Sequence, residues 1–447
     1  MTVPSAHRAD GGAATAATPI GPGRAGPRRR RLLMIARDFP PASTSGSLRA
    51  LKSVRYLSEY GWDASVVTLR TPFYGADDPG LLGDLPPGCR VHRTAGFDTK
   101  AVLAIRGRYL RLLATPDRAI SWLPPAIAAC VRSCRTEHPD VLLSTSPPVT
   151  AQCVGLVVKR VTGLPWIIEL RDAWNLDAGL GPLSGRVDGW LERRCVTAAD
   201  GIVVTTEALA AALTHRFGRQ VGAKVVVVAN GYDDDEFACL PARSAAAGNR
   251  FRIVHIGQCH PPERDPTPML RALRAALDRE KLPADTEVVF VGAGAACGRA
   301  LAPELRRLRL EAHVRCTERL SHRDAVGAMV DAPVLLLLQD RDEHRHSIPA
   351  KAYEYLRSHA AILVVAPPHT ATTAALQEFP GVWQAGVEPA SIGRCLVDIH
   401  RRWRDGGGQV RFVRGVEHLS RRHLTLGLAR VLDAQVATGG MDRGGRP

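Results

Sequence analysis

Aromatic residues are scarce in this sequence, where they make up 5% of 447 residues. Proteins that hold single-stranded nucleic acid stack its bases on aromatic side chains, so this composition argues against such a platform. Long apolar runs are missing as well, and no stretch reaches the roughly 18 apolar residues that a membrane-spanning helix needs. We therefore expect neither a groove for single strands nor a transmembrane segment.

Paired cysteine motifs are also missing, although the chain has ten cysteines. None forms a Cys-x-x-Cys motif, and Cys130 and Cys134, one helical turn apart, have no matching pair downstream. A structural zinc site needs four ligands at recognisable spacing, so the sequence predicts none. Scattered thiols of this kind are typical of reduced, mostly buried cysteines in a cytosolic protein.

Acidic residues are outnumbered by basic ones, 44 to 59, which gives a net charge of +15. Such a balance favours anionic partners: a phosphorylated substrate, an acidic membrane surface or nucleic acid. The sequence contains no recognised nucleic-acid-binding motif, so we do not expect nucleic acid as a partner. Part of the excess is local, because residues 1–30 are Arg-rich without a core-forming pattern. We predict that they form a disordered basic leader.

Short apolar runs alternate with helical patterns along most of the chain. Several runs are apolar at every position, which is typical of strands buried on both faces of a parallel sheet. Regular alternation of strand and helix predicts a doubly wound α/β fold. The runs are 32–36, 64–69, 141–145, 166–170, 201–205, 224–229, 252–256, 287–291, 334–338 and 361–365.

The series of strands and helices restarts in the middle of the chain. Residues 238–250 are rich in Ala, Gly, Arg, Ser and Asn, which predicts a linker between a domain at 31–237 and a second at 251–408. A C-terminal helix is predicted at 409–436 and a disordered tail at 437–447. Two such domains facing each other leave a cleft, into which the carboxyl ends of the strands open and where these sheets bind ligands.

Polar residues follow two predicted strands of the first half. Gly46 and Ser47 open a helix, where exposed N–H groups suit an anion, although loops of small residues are common without one. Arg171 and Asp172 come directly after the run 166–170. A charged pair at this edge is either part of a site or a structural ion pair with a neighbouring loop.

The second half of the chain contains more candidate ligand-binding residues. Gly257 ends a strand, and Arg264 in the following loop can bind a diphosphate or can simply be exposed. A polar loop then leads into a helix on which Lys351 and Glu354 share one face. Lys351 and the loop N–H groups would hold phosphate while Glu354 accepts from ribose, but a Glu at a helix start is also ordinary capping chemistry. The loop residues are His346, Ser347, Ile348, Pro349 and Ala350.

Other ligand signals are weaker. Gly292 and Gly294 begin a dinucleotide fingerprint whose third glycine is replaced by Cys297, which argues against hydride transfer. Asp-x-Asp spacing, which can hold Mg²⁺ or Mn²⁺ with phosphates, occurs at 233–235 and 340–342. Because this spacing is frequent by chance, we predict no metal.

A basic, apolar segment at residues 100–113 predicts an amphipathic helix. Such a helix can lie on an anionic membrane, as expected for a lipid-linked acceptor. The alternative is that its apolar face packs on the first domain.

A set of motifs occurs in a fixed order along the chain, and the order is more specific than any one of them. They are Phe39-Pro40-Pro41 with Gly46, Ser144-Thr145-Ser146-Pro147-Pro148, Arg171-Asp172-Ala173-Trp174, Asn230-Gly231-Tyr232-Asp233, Gly292-Ala293-Gly294, Ser321-His322-Arg323-Asp324 and Ile348-Pro349-Ala350-Lys351 with Glu354. With them, residues 31–435 resemble the family 4 retaining glycosyltransferases of the GT-B fold, in which two Rossmann-like domains face each other across a cleft.

The resemblance implies a nucleotide-diphospho-sugar donor held mainly by the second domain and an acceptor held mainly by the first. It implies ribose binding by Glu354, and a grip on the diphosphate by Arg264 with Lys351 in place of the family's usual lysine. Arg171 stands where many members have a His before the Asp, and His346 stands where the family has the first Glu of a spaced pair. The implied catalytic residues are Arg171, Asp172, Arg264 and Lys351, and the implied donor-binding residues are Gly46, Ser47, Gly257, His346, Ser347, Ile348, Pro349, Ala350 and Glu354.

We therefore expect a metal-independent, retaining hexosyltransferase without a cofactor other than the donor. A polysaccharide, a lipid-linked saccharide or a secondary metabolite would be the acceptor, in cell-envelope polysaccharide biosynthesis. The expected location is the cytoplasm, with peripheral association with an anionic membrane. Two alternatives stay open: a nucleotide-sugar epimerase on the same fold and a non-catalytic nucleotide-sugar-binding protein.

Overall fold

Each half of the chain folds around one parallel sheet. The computed structural model describes residues 28–70, 77–103, 114–174, 182–240, 250–259, 264–339, 345–408 and 410–443. The first sheet consists of β1 (Arg30–Ile35), β2 (Trp62–Leu69), β3 (Arg90–Thr94), β4 (Val141–Ser146), β5 (Trp166–Leu170), β6 (Gly201–Val204) and β7 (Val225–Val227). The second consists of β8 (Arg252–Ile256), β9 (Glu287–Val291), β10 (Val314–Cys316), β11 (Val334–Leu338), β12 (Ala361–Val365) and β13 (Val382–Ala385).

Helices connect the strands and cover the sheets. They are α1 (Ser45–Leu57), α2 (Thr99–Leu103), α3 (Leu123–Glu137), α4 (Thr150–Thr162), α5 (Pro182–Ala198), α6 (Glu207–Phe217), α7 (Arg219–Gly222), α8 (Asp234–Ala238), α9 (Thr267–Asp278), α10 (Gly294–Leu308), α11 (His322–Asp331), α12 (Lys351–Arg357), α13 (Ala371–Leu376), α14 (Pro389–Asp405) and α15 (Arg421–Arg443). Among the described helices, none combines the length and the apolar character needed to cross a bilayer.

The strand orders place a ligand crevice in each domain. The first sheet runs β3-β2-β1-β4-β5-β6-β7 and the second β10-β9-β8-β11-β12-β13. In both, the order reverses beside the first strand of the domain, between β1 and β4 and between β8 and β11. Ligands of open α/β sheets bind at the carboxyl ends of the strands at this switch point. The loops after these four strands are therefore expected to contribute to a site.

The central strands are buried on both faces, as the sequence predicted. Every residue of β4, β5, β11 and β12 is buried. One apolar cluster lies on each face of each sheet, which is the packing of helices on both sides of a parallel sheet. The prediction of two doubly wound α/β domains is confirmed.

Three strands were not predicted: β3, β10 and β13. Each is at an edge of its sheet, and its residues are largely half-buried. Edge strands carry polar and charged side chains, so they lack the continuous apolar run that marks a central strand.

The C-terminal helix begins and ends later than the sequence predicted. Residues 410–416 instead form an irregular segment on the second domain, where the buried Arg414 donates to the carbonyls of Leu356, Ala360 and Pro380. The chain then returns to the first domain, because α15 packs its buried Leu428 and Leu432 into the cluster beside α1. The last helix therefore ties the second domain to the first.

Candidate functional site

A cavity of about 460 Å³ lies between the carboxyl ends of the two sheets, and most of the predicted site residues line it. We call it the interdomain cavity. Its walls come from both domains and from the two chain segments that connect them. They include Ser45, Arg171, Asp172, Asn230, Gly257, Arg264, His322, Ser347, Ile348, Pro349, Ala350, Lys351, Glu354 and Arg421.

Lys351, the first residue of α12, presents a half-buried amine to this cavity. Its Nζ donates to the carbonyl oxygen of Ile256 at 2.8 Å and lies 3.3 Å from Nε2 of His255. Nδ1 of His255 is 2.9 Å from the carbonyl oxygen of Leu336, so Nδ1 carries the proton and Nε2 accepts from Lys351. Burial, and then the nearby Arg264, lower the pKa of Lys351 to about 7. The amine therefore titrates close to neutral pH.

Gly257 allows the chain to pass close to this amine. Its φ of +107° is a conformation that other residues rarely adopt, and a Cβ there would lie 3.6 Å from Nζ of Lys351. Arg264 reaches the same end of the cavity, where its Nη1 donates to the carbonyl oxygen of Gln258 at 3.3 Å. Among the described residues, no carboxylate forms an ion pair with Lys351 or Arg264. Within the described part of the chain, this end of the cavity thus holds an arginine and a lysine with a lowered pKa, neither of which is paired with a carboxylate.

Glu354 lies one turn further along α12, with its side chain buried against the cavity. Its carboxylate has no hydrogen-bond partner among the described residues. Burial raises the pKa of Glu354, and the neighbouring His322 opposes that shift. The two carboxylate oxygens are free to accept hydrogen bonds from hydroxyl groups.

His322 and Glu236 were not predicted as site residues. Nε2 of His322 lies 2.8 Å from a carboxylate oxygen of Glu236, whose other oxygen lies 2.9 Å from Nζ of Lys52. Burial disfavours the charged imidazole, but the Glu236 carboxylate outweighs it and raises the pKa of His322 to about 9. A half-buried imidazolium therefore lies beside Glu354 at neutral pH. Its only sequence signal was the Ser321-His322 motif, to which no role had been assigned.

Two carboxylates and the imidazole of His322 also have the spacing of a metal site. Ligand atoms of Glu236, His322 and Glu354 all lie within 4.8 Å of one another. However, Glu236 already pairs with Lys52, and a protonated His322 offers no lone pair to a metal. Asp233 likewise pairs with Lys52 at 2.5 Å, and residues 340–342 lie outside the described residues. The absence of a metal therefore stays a prediction.

Arg171 and Asp172 lie at the boundary between the domains. Arg171 Nε donates to the carbonyl oxygen of Ser146 at 2.8 Å, and Nη2 donates to that of Pro147 at 2.7 Å. A Cβ on Gly46 would collide with the guanidinium group, so Gly46 serves the approach of Arg171. Asp172 accepts a 2.8 Å hydrogen bond from the hydroxyl of Ser347 and thereby links the first domain to the loop before α12.

Three predicted residues, Gly46, Ser47 and His346, do not line the interdomain cavity. The backbone N–H of Ser47 already donates to the side chain of the N-cap residue Thr44 at 3.1 Å, and the Ser47 hydroxyl is buried. The carbonyl oxygen of His346 accepts from the hydroxyl of Thr206 at 2.5 Å, while its side chain lines a separate open groove. Gly46 lines the neighbouring first-domain cavity described below, and a ligand role for the three residues stays a prediction.

A second cavity, of about 420 Å³, extends from Arg171 and Asp172 into the first domain. We call it the first-domain cavity. The ion pair of Arg37 and Asp38 lies in its wall. Trp174 and Asp188 form another part of the wall, where the indole Nε1 donates to the Asp188 carboxylate at 3.0 Å. Because both cavities share Arg171, Asp172 and Ser45, a molecule in one would meet a molecule in the other at this boundary.

Comparison with known proteins finds a match to one family model and a similarity to solved structures of one fold. Residues 46–231 match the family model described as a glycosyl transferase 4-like domain. A comparison of the sequence with curated proteins found no match.

Solved structures resemble most of the chain. Sucrose-phosphate synthase from Thermosynechococcus elongatus is 13% identical, with a TM-score of 0.57 over 93% of this chain and 98% of that one. Anabaena HepE, in complex with UDP and glucose, is 13% identical, with a TM-score of 0.57 over 92% and 100%. A putative UDP-N-acetylglucosamine 2-epimerase from Listeria monocytogenes is 12% identical, with a TM-score of 0.59 over 92% and 97%. At such low identity these likenesses show the fold alone.

Proposed function

Because this chain has the GT-B fold and carries a glycosyl transferase 4-like domain at residues 46–231, as its motifs predicted, we propose that it is a retaining hexosyltransferase. It would move a sugar from a nucleotide-diphospho-sugar to a hydroxyl acceptor. One arrangement carries the proposal. Among the residues that the structure describes, Lys351 and Arg264 lie in the interdomain cavity without a carboxylate ion-pair partner, and Glu354, one helical turn away, has no hydrogen-bond partner for its carboxylate.

The donor would lie along this wall of the second domain. Lys351 and Arg264 would bind the diphosphate, because cationic donors form the strongest hydrogen bonds to phosphate oxygens. Glu354 would accept from the ribose hydroxyls. The complex of Anabaena HepE with UDP and glucose, on a similar fold, supports a nucleotide donor.

The acceptor would occupy the first-domain cavity and meet the donor sugar beside Arg171 and Asp172. The bond between the anomeric carbon and the diphosphate breaks, and a new bond forms between that carbon and the acceptor oxygen. The acceptor proton passes to the departing diphosphate oxygen on the same face. Lys351 and Arg264 stabilise the negative charge that develops there, which is the largest contribution expected of such groups. No enzyme nucleophile, metal or further cofactor is part of this proposal.

The location proposed for this reaction is the cytoplasm. All ten cysteines are free in the structure, and none is paired in a disulfide. Unpaired thiols are typical of proteins in a reducing compartment.

The state of Lys351 makes donor binding depend on pH. A lysine with a lowered pKa is protonated below that pKa and neutral above it, so the cation is lost as pH rises through about 7. The diphosphate of a nucleotide sugar keeps its charge across this range. We expect the donor KM to be flat below this pH and to rise up to about tenfold per unit above it. Initial rates at varied donor concentration between about pH 5.5 and 9 measure this.

The matched control is Lys351→Arg, which stays charged over the whole range. Its donor KM can be higher than that of the wild type, but it should no longer rise with pH. An identical slope in both proteins would show that another group titrates.

Glu354→Gln tests the ribose contact. A hydrogen bond to a charged acceptor contributes about 1.5–3 kcal/mol, so the donor KM should rise about 10-fold to 100-fold. The wild type should discriminate against a 2′-deoxy donor, and the variant should lose that discrimination. The exposed Glu318, changed to Gln, removes the same charge outside the cavity and should leave the KM unchanged. Equal discrimination by wild type and Glu354→Gln would refute the assignment.

The reaction itself is tested with a panel of nucleotide sugars and hydroxyl acceptors. We expect acceptor-dependent release of nucleoside diphosphate, and a product with the anomeric configuration of the donor in its NMR spectrum. Conversion of the donor sugar without any acceptor would identify an epimerase instead. Saturable donor binding without turnover over the whole panel would identify a binding protein.

A further inference from the structure

Helix α5 carries an exposed face that combines large apolar residues with arginines. Leu183 and Trp190 are 60% and 54% exposed. Arg186, Arg193 and Arg194 are exposed on the same helix, and the guanidinium of Arg194 lies 5.4 Å from the Trp190 ring centre. Spacings of three, four and seven residues place these side chains on one side of the helix. We call this the α5 outer face.

The acidic residues of α5 point the other way. Asp188 and Glu192 are both 2% exposed. Asp188 accepts from Trp174 inside the first domain, and Glu192 pairs with Arg216 at 2.7 Å. Every exposed charge on α5 is therefore an arginine, and the α5 outer face is uniformly positive.

The end of α4 lies beside the C-terminal end of α5. Arg160 is exposed there, and the neighbouring Val161 is 61% exposed. The two helices meet at their ends, because Lys159 donates to the carbonyl oxygen of Ala198 at 2.7 Å. An exposed arginine and an exposed apolar side chain thus also lie near the C-terminal end of α5.

We propose that the α5 outer face docks on an anionic lipid bilayer. Arginines near an anionic leaflet are attracted to its headgroups, and a Trp and a Leu between them can enter the boundary between headgroups and acyl chains. A nucleic acid would satisfy the arginines but would leave Leu183 and Val161 in water. The combination of charge and exposed apolar area therefore favours a membrane.

The opposite side of the same helix leads to the proposed acceptor site. Asp188 lines the first-domain cavity, so one helix separates that cavity from the α5 outer face. A helix with its side chains is about 10–12 Å wide. Docking would hold the cavity this close to the bilayer, within reach of an acceptor anchored in the lipid. This last step, that the acceptor is lipid-linked, rests on the proposed function; the docking does not.

The full-length chain, floated with phosphatidylcholine vesicles that do or do not contain phosphatidylglycerol, tests the docking. We expect binding to the anionic vesicles that weakens as salt is raised. Arg186→Gln with Arg193→Gln and Arg194→Gln should lower the partition coefficient about 100-fold, since each arginine near the surface contributes about a factor of five. Leu183→Ser with Trp190→Ser should lower it about tenfold.

The control removes three exposed arginines from the second domain, as Arg299→Gln with Arg306→Gln and Arg401→Gln. It has the same net charge as the triple α5 variant and keeps the same N-terminal sequence, so it should bind like the wild type. Equal loss in the control, or none in the α5 variants, would overturn the proposal. So would full binding of Leu183→Ser with Trp190→Ser together with competition by duplex DNA, which would identify a general polyanion surface. Thermal melting shows whether each variant is folded.

The two proposals fail separately. If the α5 variants lose vesicle binding but still bind a nucleotide sugar in calorimetry, docking is supported whatever the reaction proves to be. If the wild type binds vesicles and no nucleotide sugar, the proposed function fails while the docking stands.

Discussion

Lys351→Met is expected to lower the kcat of sugar transfer about 10²-fold to 10³-fold, the loss that follows removal of one group aimed at developing charge. Methionine keeps most of the side-chain volume but removes the amine that lies at the end of the interdomain cavity. Arg264 alone would then face the departing diphosphate. Single-turnover rates at saturating donor measure the effect, because they separate the chemical step from donor binding.

Lys281→Met is the matched control, since Lys281 is exposed on the second domain and does not line the interdomain cavity. It should retain the wild-type kcat. If Lys351→Met also retained its kcat within a factor of two or three, the diphosphate would not be leaving against Lys351, and the proposed donor position would have to be abandoned.

Arg49→Met is expected to lower the free energy of unfolding by about 3–5 kcal/mol, because it leaves one member of a buried ion pair without its partner. Arg49 and Glu169 are buried at the carboxyl edge of the first sheet, where Nε and Nη2 of Arg49 donate to one Glu169 oxygen at 3.0 and 2.9 Å. The same guanidinium donates to the carbonyls of Val228 and Ala229, next to the segment that leaves the first domain. Its loss would strand all of these acceptors.

Urea unfolding compares this variant with two others. Arg49→Met combined with Glu169→Gln should recover part of the loss, because the stranded carboxylate is gone. Arg271→Met breaks the exposed pair with Glu304 and should cost less than about 1 kcal/mol. If Arg49→Met and Arg271→Met lowered the free energy of unfolding by the same amount, burial of the Arg49–Glu169 pair would contribute nothing to stability.

The fold could be predicted where burial leaves a simple pattern. The central strands β5 and β11 are buried at every residue, and their apolar runs are visible in the sequence. The edge strand β3 has the sequence Arg-Val-His-Arg-Thr, which is only partly buried and has no such run. Residues 410–416 also misled the prediction, because the hydrogen bonds of Arg414 to distant carbonyls hold them out of the last helix.

The residues that line the interdomain cavity could be predicted only where neighbours in sequence are neighbours in space. Lys351 and Glu354 lie on one helical turn, so their shared position at the cavity is legible from their spacing. Three other residues lie near Glu354 only because the fold brings α8, α11 and the start of α15 together. They are Glu236, His322 and Arg421. Arg421 gave no local signal at all.

The roles of small residues were also hidden from the sequence. Gly46 was expected to meet a ligand; it lines the first-domain cavity, and it also provides the space that the guanidinium of Arg171 occupies. The motif indicated that a glycine is required at this position. The reason for the requirement is the side chain of Arg171, which follows a different strand. Such close approaches depend on tertiary packing, which no local pattern reports.

A crystal structure of the chain with a nucleotide-diphospho-sugar tests the central claim most directly. We expect diphosphate oxygens within hydrogen-bond distance of Lys351 Nζ and of the Arg264 guanidinium, ribose hydroxyls on the Glu354 carboxylate, and the sugar directed toward Arg171. A donor bound elsewhere, or one whose diphosphate contacts neither Lys351 nor Arg264, would contradict the account.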